Sequence, residues 1–207
     1  AAVEETRSWE KPRLTHLGGA GCSLPRYFAH VWPHSRNTVV EWDMELAQLA
    51  REKFDIPRSP LVKIRVGDAR EVTDSFVDAS RDVIIRDVFE SATTPRSLTT
   101  LPFYQSCLRS LSTDGLYVAN CGSRGDLTEA REELAGMAEV FPHLAAVADP
   151  PMLKGRRYGN IILLGSASEI RDTPQLTRRL LGGGVPAQFK GDAWAREMAA
   201  SAAPRYD

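Results

Sequence analysis

Short apolar runs alternate with amphipathic stretches along most of this chain, and this alternation constrains the fold more than any other feature. The runs are rich in β-branched residues, and the stretches between them carry apolar residues at helical spacing. We predict strands at residues 13–17, 37–42, 61–68, 82–87, 116–121, 143–150 and 158–166. We predict helices at residues 23–32, 44–54, 69–77, 99–111 and 124–141. Strands that alternate with helices form a parallel sheet covered on both faces, so we expect an α/β three-layer sandwich with a doubly wound sheet. The last two strands are joined by a short turn and are expected to pair antiparallel.

Length and composition indicate one domain. The chain has 207 residues, of which 43% are hydrophobic and 26% are charged. These values are ordinary for a globular domain with a sizeable core. We therefore expect a single domain over residues 1–207, with its core at about 13–166. The polar, glycine-interrupted stretch 167–207 is expected to add one or two packed helices.

Charge and cysteine content argue against several classes of function. Lys and Arg number 26 against 27 Asp and Glu, which does not favour nucleic-acid binding through bulk charge. No apolar run approaches the roughly 20 residues that span a bilayer, and the polar first residues do not resemble a signal peptide. Cys22, Cys107 and Cys121 form no Cys-x-x-Cys pair and no zinc-type cluster. We expect a cytoplasmic protein that binds no metal, nucleic acid or membrane.

The first predicted strand runs into a glycine-rich turn, "HLGGAGCSLPR", and then into a helix. Glycines allow a tight turn and let a phosphate or nucleoside approach the main chain, although a simple strand–helix turn has the same pattern. Glu41 ends the second strand, where an acid accepts hydrogen bonds from ribose hydroxyls in doubly wound nucleotide folds. Alternatively, an acid here only precedes a helix, a description that fits the predicted N-cap Asp43 better.

Two further strand ends carry acids. Asp68 follows the third strand, where it is placed either to receive an adenine amino group or to cap the next helix. Asp87 follows the fourth strand and is either a strand terminator or an acid at the mouth of a site. Because the carboxyl ends of parallel strands face one edge of a sheet, these residues and the glycine turn are expected to meet there. The ordered set favours a nucleoside site with Asp87 at its centre.

Five segments carry a resemblance to a known family: "HLGGAGCSLPRY", "VVEWD", "RVGDAR", "DVIIRDVFE" and "LSTDGLYVANC". Their order and spacing resemble those of the spermidine synthases, the polyamine aminopropyltransferases, which form a branch of the S-adenosylmethionine-dependent methyltransferase-like, or Rossmann-like, fold. The likeness covers roughly residues 13–166. It is strongest to bacterial spermidine synthase-like proteins, which share the D-x-F segment, the proline and the "LTT" that follow the fourth strand.

The resemblance implies a function and roles for site residues. The family transfers an aminopropyl group from decarboxylated S-adenosylmethionine to an amine such as putrescine. By position, Gly18, Gly19 and Gly21 would line the nucleoside, while Glu41 and Asp68 would hold the ribose and the adenine. Asp87 would orient and deprotonate the attacking amine, assisted by Glu90. The implied partner is a small-molecule amine, and homodimer formation is a further expectation.

The chain departs from the family pattern in four places. Gly21 stands where the family has the Asp that helps to hold the aminopropyl amine. The segment after Asp87 lacks the family's "DSSDP" and its Gly-Pro gate, and Arg86 is unusual beside a site for cationic polyamines. Only about a dozen residues precede the first strand, where the family has a β-hairpin domain. These departures leave two alternatives: an S-adenosylmethionine-dependent methyltransferase acting on another small substrate, and a non-catalytic nucleoside-binding module. A nicotinamide dehydrogenase explains the glycines and Glu41 but does not explain Asp68 and Asp87 together.

Four aromatic residues near the predicted site need separate interpretation. His16 lies within the first strand and is predicted to be a packed core residue rather than a base. Tyr104 is likewise predicted to pack in the core. Trp32 and Trp42 flank the expected nucleoside region and are predicted to be either core or pocket wall.

Overall fold

The centre of the molecule is a sheet of eight strands, in a computed structural model that describes residues 1–207. The strands are β1 (Arg13–Leu17), β2 (Arg36–Glu41), β3 (Val62–Val66), β4 (Arg81–Arg86), β5 (Leu111–Ser123), β6 (His143–Ala148), β7 (Gly159–Ser166) and β8 (Gln188–Lys190). The helices are α1 (Ala2–Glu5), α2 (Ser23–Val31), α3 (Met44–Lys53), α4 (Ala69–Asp74), α5 (Leu101–Ser110), α6 (Thr128–Ala138), α7 (Pro150–Leu153), α8 (Pro174–Leu181) and α9 (Asp192–Ala199). A 3₁₀ turn covers Arg96–Leu98.

The strand order in the sheet is β3-β2-β1-β4-β5-β7-β6-β8. The first five strands in this order run parallel, and β7 pairs antiparallel with both β5 and β6. The predicted parallel sheet and the predicted antiparallel pairing of the last two predicted strands are therefore confirmed. With β1 central among the parallel strands, the carboxyl ends of β1 to β4 all open on one edge of the sheet.

Two hydrophobic cores sandwich the sheet, because alternate residues of each strand point to opposite faces. Ile84 packs on the face covered by α4, α5, α6 and α9, whereas its neighbours Val83 and Ile85 pack on the face covered by α1 and α2. A smaller cluster under α2 and α3 includes Val39 and Ala50. The three-layer α/β sandwich predicted from the sequence is confirmed.

Helix starts depend on capping groups that the sequence shows only in part. Asp43 and Asp68 accept hydrogen bonds from the backbone N–H groups of Leu46 and Glu71, each over 2.9 Å, so both are N-caps. Ser23 is the first residue of α2 and not its N-cap. The N-cap is Cys22, whose φ of 54° lies in the left-handed region, and its side chain makes no capping bond.

The largest differences from the predicted elements lie late in the chain. The fifth strand was predicted at residues 116–121, but β5 begins directly after α5 and continues through Asp114 and Gly115. Between the pairs Arg81–Leu111 and Val83–Leu116 the register shifts, and the chain absorbs the extra residues in a bulge. One or two helices were predicted in the C-terminal stretch, and it contains two, α8 and α9. β8 was not predicted; it adds a short antiparallel edge strand next to β6. None of the helices combines the length and the apolar character needed to cross a membrane.

Candidate functional site

The carboxyl ends of β1, β2, β3 and β4 surround a cleft of about 610 Å³. All of the residues predicted for the site line it: Gly18, Gly19, Gly21, Glu41, Asp68, Asp87 and Glu90. A larger and shallower hollow of about 980 Å³ lies at the opposite edge of the sheet, around Arg7, Asp114 and Arg178, and has no hydrophobic lining residue. The structure thus gathers the predicted acids and glycines at the edge where open parallel sheets bind ligands.

The glycine-rich turn packs directly against the strand that carries Asp87. Gly18 has a φ of 90°, and a Cβ at this position would lie 2.1 Å from the carbonyl oxygen of Asp87. Only glycine fits this close approach. Ala20 and Cys22 also have positive φ values, 39° and 54°, although they are not glycines. Such conformations cost roughly 1–3 kcal/mol each and often accumulate at functional sites.

Glu41 joins the end of β2 to this turn. Its Oε2 accepts hydrogen bonds from the backbone N–H groups of Gly19 and Ala20, each over 3.0 Å, and its Oε1 accepts one from Asp43 over 3.1 Å. An ionised carboxylate offers about four lone-pair sites, so one stays available to a ligand. Glu41 therefore holds the shape of the turn, a task that the sequence did not reveal.

Asp87 follows β4 and is held from both neighbouring strands. Its backbone N–H donates to Leu17 over 2.8 Å, and its Oδ1 accepts a hydrogen bond from Nδ2 of Asn120, on β5, over 2.9 Å. Glu90 is exposed at the same cleft, on a tight turn in which its backbone exchanges two hydrogen bonds with Thr93. Asn120 was not singled out by sequence analysis, although a polar residue near the end of a central strand was a usable signal.

Gly21 lies at the part of the turn nearest to α3. A Cβ at this position would lie 3.3 Å from the ring of Phe54, which directly follows that helix. A side chain longer than a methyl group would have to extend beside this ring. The place at which the resemblance predicts an acid is therefore bordered by an aromatic ring and carries no side chain.

Arg86 does not enter the cleft, which corrects the expectation that it sits beside the site. Its side chain is fully buried and forms a bidentate pair with Glu133 over 2.7 and 3.0 Å. Its Nη1 also donates to the carbonyl of Leu98, and its Nη2 donates to that of Asn120. Burial alone lowers the pKa of a guanidinium, but the Glu133 carboxylate outweighs it, so the pKa of Arg86 lies above its usual range. Tyr104 is buried as predicted and donates to Glu133 over 3.1 Å.

Three aromatic residues near the cleft differ in how far they are exposed. His16 is 2% exposed, and its burial lowers its pKa to about 4, so the ring is neutral near pH 7. The prediction that it is a core residue is confirmed. Trp32 is partly buried and stacks on Phe28, whereas Trp42 is 77% exposed on the rim of the cleft, next to Glu41.

The charged side chains that line the cleft are all of one kind, carboxylates. Its lining has five carboxylates and no lysine or arginine, the five being Glu41, Asp43, Asp68, Asp87 and Glu90. A cleft lined by charges of one sign concentrates ligands of the opposite sign. The lining therefore favours a ligand with net positive charge.

Comparison with known proteins places this architecture in a family. No protein-family model matches the chain. The crystal structure of a probable spermidine synthase from Corynebacterium glutamicum superposes with a TM-score of 0.93 at 58% identity, over 99% of this chain and 75% of that one. The chain belongs to the spermidine synthase family.

More distant relatives agree with this assignment. The polyamine aminopropyltransferase of Neisseria meningitidis serogroup A is 30% identical over 108 residues, which is 52% of this chain and 41% of that protein. The aligned part thus spans about two fifths of this curated relative. Human methyltransferase-like protein 13, solved in complex with SAH, is 24% identical with a TM-score of 0.66 over 95% of this chain and 85% of that one. At this identity the likeness shows the fold alone. This chain therefore has a methyltransferase-like fold.

Proposed function

We propose that this chain transfers an aminopropyl group from decarboxylated S-adenosylmethionine to a small amine such as putrescine. Family membership supports this reaction type. The observation that carries the proposal is the charge of the cleft, which has five carboxylates and no lysine or arginine. Both substrates of this reaction are cations, so the cleft attracts each of them.

The same observation favours the decarboxylated donor over S-adenosylmethionine itself. The decarboxylated donor carries a sulfonium and an ammonium, whereas the intact one also carries a carboxylate. A carboxylate in this cleft would meet acids and no cationic side chain. Like charges brought together in a partly desolvated cleft repel, which lowers the affinity for the intact donor.

The nucleoside of the donor is assigned to the ends of β1, β2 and β3. The one acceptor site that Glu41 has left suits a ribose hydroxyl, since its other lone pairs already hold the turn. Asp68 caps α4 through Oδ1, which leaves Oδ2 for the adenine amino group. Gly18, Gly19 and Gly21 supply a turn without side chains along which the donor can lie.

Asp87 is assigned the role of base. The acceptor amine arrives as an ammonium, which is not a nucleophile until it loses a proton. The Asp87 carboxylate binds this cation and accepts the proton, and the freed lone pair attacks the methylene carbon beside the sulfonium. The new C–N bond forms as the C–S bond breaks, and its electron pair returns to sulfur, which leaves neutral methylthioadenosine. Glu90 provides a second carboxylate at the acceptor end of the cleft.

Positioning supplies most of the remaining rate enhancement. The sulfonium is already an activated leaving group, so the protein needs to hold the amine in line with the C–S bond. The Asn120 hydrogen bond and the backbone bond to Leu17 fix the direction of Asp87. The carboxylate is therefore oriented before the amine arrives.

A donor-competition assay tests the proposal. The protein is incubated with putrescine and either donor, and the products are identified by mass spectrometry. Aminopropylated amine and methylthioadenosine, formed from the decarboxylated donor only, are the expected products. Methylated product and S-adenosylhomocysteine from the intact donor would overturn the proposal in favour of a methyltransferase, an alternative that the absent acid at Gly21 keeps in view. Binding of both donors without turnover would instead favour a non-catalytic module.

A further inference from the structure

Residues 205–207 are docked beside the 3₁₀ turn and the start of α5. The backbone carbonyl of Arg205 accepts a hydrogen bond from the N–H of Leu101 over 2.7 Å. Nη2 of Arg96, in the 3₁₀ turn, donates to the carbonyl of Tyr206 over 2.8 Å. These bonds join the 205–207 segment to a part of the chain about a hundred residues earlier, next to the cleft.

The 205–207 segment supplies the cap that α5 does not obtain from its own N-cap residue. That residue is Thr100, whose side chain makes no capping bond. Its Oγ1 instead donates to Oδ1 of Asp207 over 2.6 Å. The first N–H groups of a helix have no partner within it, and the carbonyl of Arg205 satisfies that of Leu101. A carboxylate at a helix N-terminus is also favoured by the helix dipole. The start of α5 is therefore held by the 205–207 segment.

Arg70 connects Asp207 to the lining of the cleft. Its two terminal nitrogens donate to the two carboxylate oxygens of Asp207, each over 2.8 Å. Its Nη1 also donates to the backbone carbonyl of Ser97 over 3.2 Å. Ser97 lines the cleft, and Arg70 lies on α4, two residues after Asp68, which lines it as well. One guanidinium thus joins Asp207 to two parts of the cleft wall.

These two parts of the wall are neighbours in the fold. The start of α4 and the 3₁₀ turn are in contact, and Ala69 and Leu98 share one hydrophobic core. Together they contribute the lining residues Asp68, Ala69, Pro95, Ser97 and Leu98. Because Asp68 is assigned to the adenine, this wall is the one against which the adenine would lie.

We propose that the 205–207 segment is a clamp that fixes the adenine side of the cleft, with Asp207 positioning the wall through Arg70. This inference rests on the proposed function only in the assignment of the adenine to Asp68. A wall that is held before the ligand arrives loses less conformational freedom on binding, so the clamp raises nucleoside affinity. None of the hydrogen bonds of the segment involves Asp87 or Glu90, so the reaction step does not depend on it.

The test measures nucleoside affinity by calorimetry in Asp207→Asn, which removes the charge and keeps the size of the side chain. Methylthioadenosine and S-adenosylhomocysteine are the probes. For each probe that binds the wild type, we expect the affinity to fall about 4- to 10-fold, as for a weakened, partly exposed ion pair with charged hydrogen bonds. Unchanged affinity in the variant would overturn the inference. Failure of both probes to bind the wild type would overturn it together with the Asp68 assignment.

Steady-state kinetics separates positioning of the wall from a general structural role. In Asp207→Asn the KM for the decarboxylated donor should rise by the same factor as the loss in affinity. We expect kcat and the KM for putrescine to stay within about 2-fold of the wild type, because loss of uniform binding leaves the chemical step unchanged. A fall in kcat with the donor KM unchanged would contradict the clamp.

Asp74→Asn is the matched control. Asp74 accepts a hydrogen bond from the same Arg70 over 2.8 Å, and it is 42% exposed against 50% for Asp207. It does not belong to the cleft lining, and its bond to Arg70 lies within α4. We expect its nucleoside affinity to stay within about 2-fold of the wild type. Equal losses in Asp74→Asn and Asp207→Asn would mean that the 205–207 segment has no part in the effect, and would overturn the inference.

Hydrogen exchange in the wild-type protein provides a readout that needs no variant. Coupling between two sites is reciprocal, so a bound nucleoside should hold the 205–207 segment more firmly. The N–H of Leu101, which is bonded to Arg205, should therefore exchange several-fold more slowly with methylthioadenosine bound. An exchange rate that does not respond to the nucleoside would overturn the inference. Turnover is scored separately, so aminopropyl transfer can fail while nucleoside binding still depends on Asp207, and the reverse.

Discussion

The side-chain amide of Asn120 donates a hydrogen bond to the carboxylate of Asp87 over 2.9 Å. The backbone carbonyl of the same asparagine accepts one from the buried Arg86 over 3.2 Å. Asn120 thus connects the acid at the cleft to an ion pair in the core. Arg86 directly precedes Asp87, yet the side chain of Arg86 packs in the core while that of Asp87 lines the cleft. The direction of the Asp87 carboxylate depends on this arrangement of β4 and β5.

Replacement of Asn120 should therefore slow the reaction without weakening nucleoside binding. In Asn120→Ala the Asp87 carboxylate loses its only side-chain partner. We expect kcat to fall about 10- to 100-fold, the scale of a small misplacement of a reacting group. The KM for the decarboxylated donor should stay near the wild-type value. Steady-state kinetics measures both, and Asn160→Ala, on the exposed part of β7, is the control. A rise in KM with kcat intact would contradict the positioning role.

The Arg86–Glu133 pair should contribute to stability in a way that surface pairs do not. Both side chains are almost fully buried, at 0% and 2% exposure. Arg86→Met leaves the Glu133 charge buried without a cationic partner, so we expect a loss of about 3–5 kcal/mol in the free energy of unfolding, measured with urea. The double variant Arg86→Met/Glu133→Leu should recover much of this loss.

A surface pair provides the control for that comparison. Arg171 and Glu169 are 74% and 62% exposed, so Arg171→Met should cost only about 0–1 kcal/mol. If Arg86→Met and Arg171→Met gave the same urea midpoint, the buried pair would contribute no more to stability than the surface pair, which would contradict this prediction.

His16 should make stability depend on pH below neutrality. Its pKa is lowered from 6.5 to about 4 in the folded chain, by burial. The unfolded state therefore binds a proton more readily, and the stabilising contribution is complete above about pH 6.5 and is lost as the pH falls toward 4. The difference in unfolding free energy between wild type and His16→Phe should shrink by roughly 2–3 kcal/mol between pH 7 and pH 4.5. Urea titrations at the two pH values measure it. A difference that does not change with pH would mean that His16 titrates normally in the fold.

Trp42 should report on occupancy of the cleft. It is 77% exposed beside Glu41, whereas no other tryptophan is among the exposed large hydrophobic residues. A bound adenosine group would cover part of the indole, so its fluorescence emission should move to shorter wavelength or decrease. The signal should be absent in Trp42→Phe, with affinity measured by calorimetry in parallel. An undiminished signal in that variant would place the nucleoside elsewhere.

The sequence predicted the features that depend on local pattern and on sheet topology. The alternation of strands and helices led to the order of the first elements, and the strand-end positions of Glu41, Asp68 and Asp87 were enough to place them at one edge. The N-cap role of Asp43 followed from its place directly before a helical stretch. Each of these inferences needs only neighbours along the chain or the geometry common to parallel sheets.

The missed features depend on contacts between distant segments. Arg86 directly precedes Asp87, so we expected it beside the site. Its side chain instead pairs with Glu133, which lies 47 residues away in the sequence. The hydrogen bond between His16 and Asn37 joins residues 21 positions apart, which no local pattern connects. β8 is only three residues long and is held by pairing with β6 rather than by its own propensity. Sequence patterns carry little information about such long-range partners.

Asp87→Asn tests the central claim most directly. The variant keeps the size of the side chain and removes its ability to accept a proton at neutral pH. Its rate of methylthioadenosine release is measured with saturating decarboxylated donor and putrescine, together with donor affinity by calorimetry. We predict a kcat at least about 100-fold below the wild type, as for loss of a general base, with donor affinity nearly unchanged. A kcat within a few-fold of the wild type would show that Asp87 is not the base and would contradict the account.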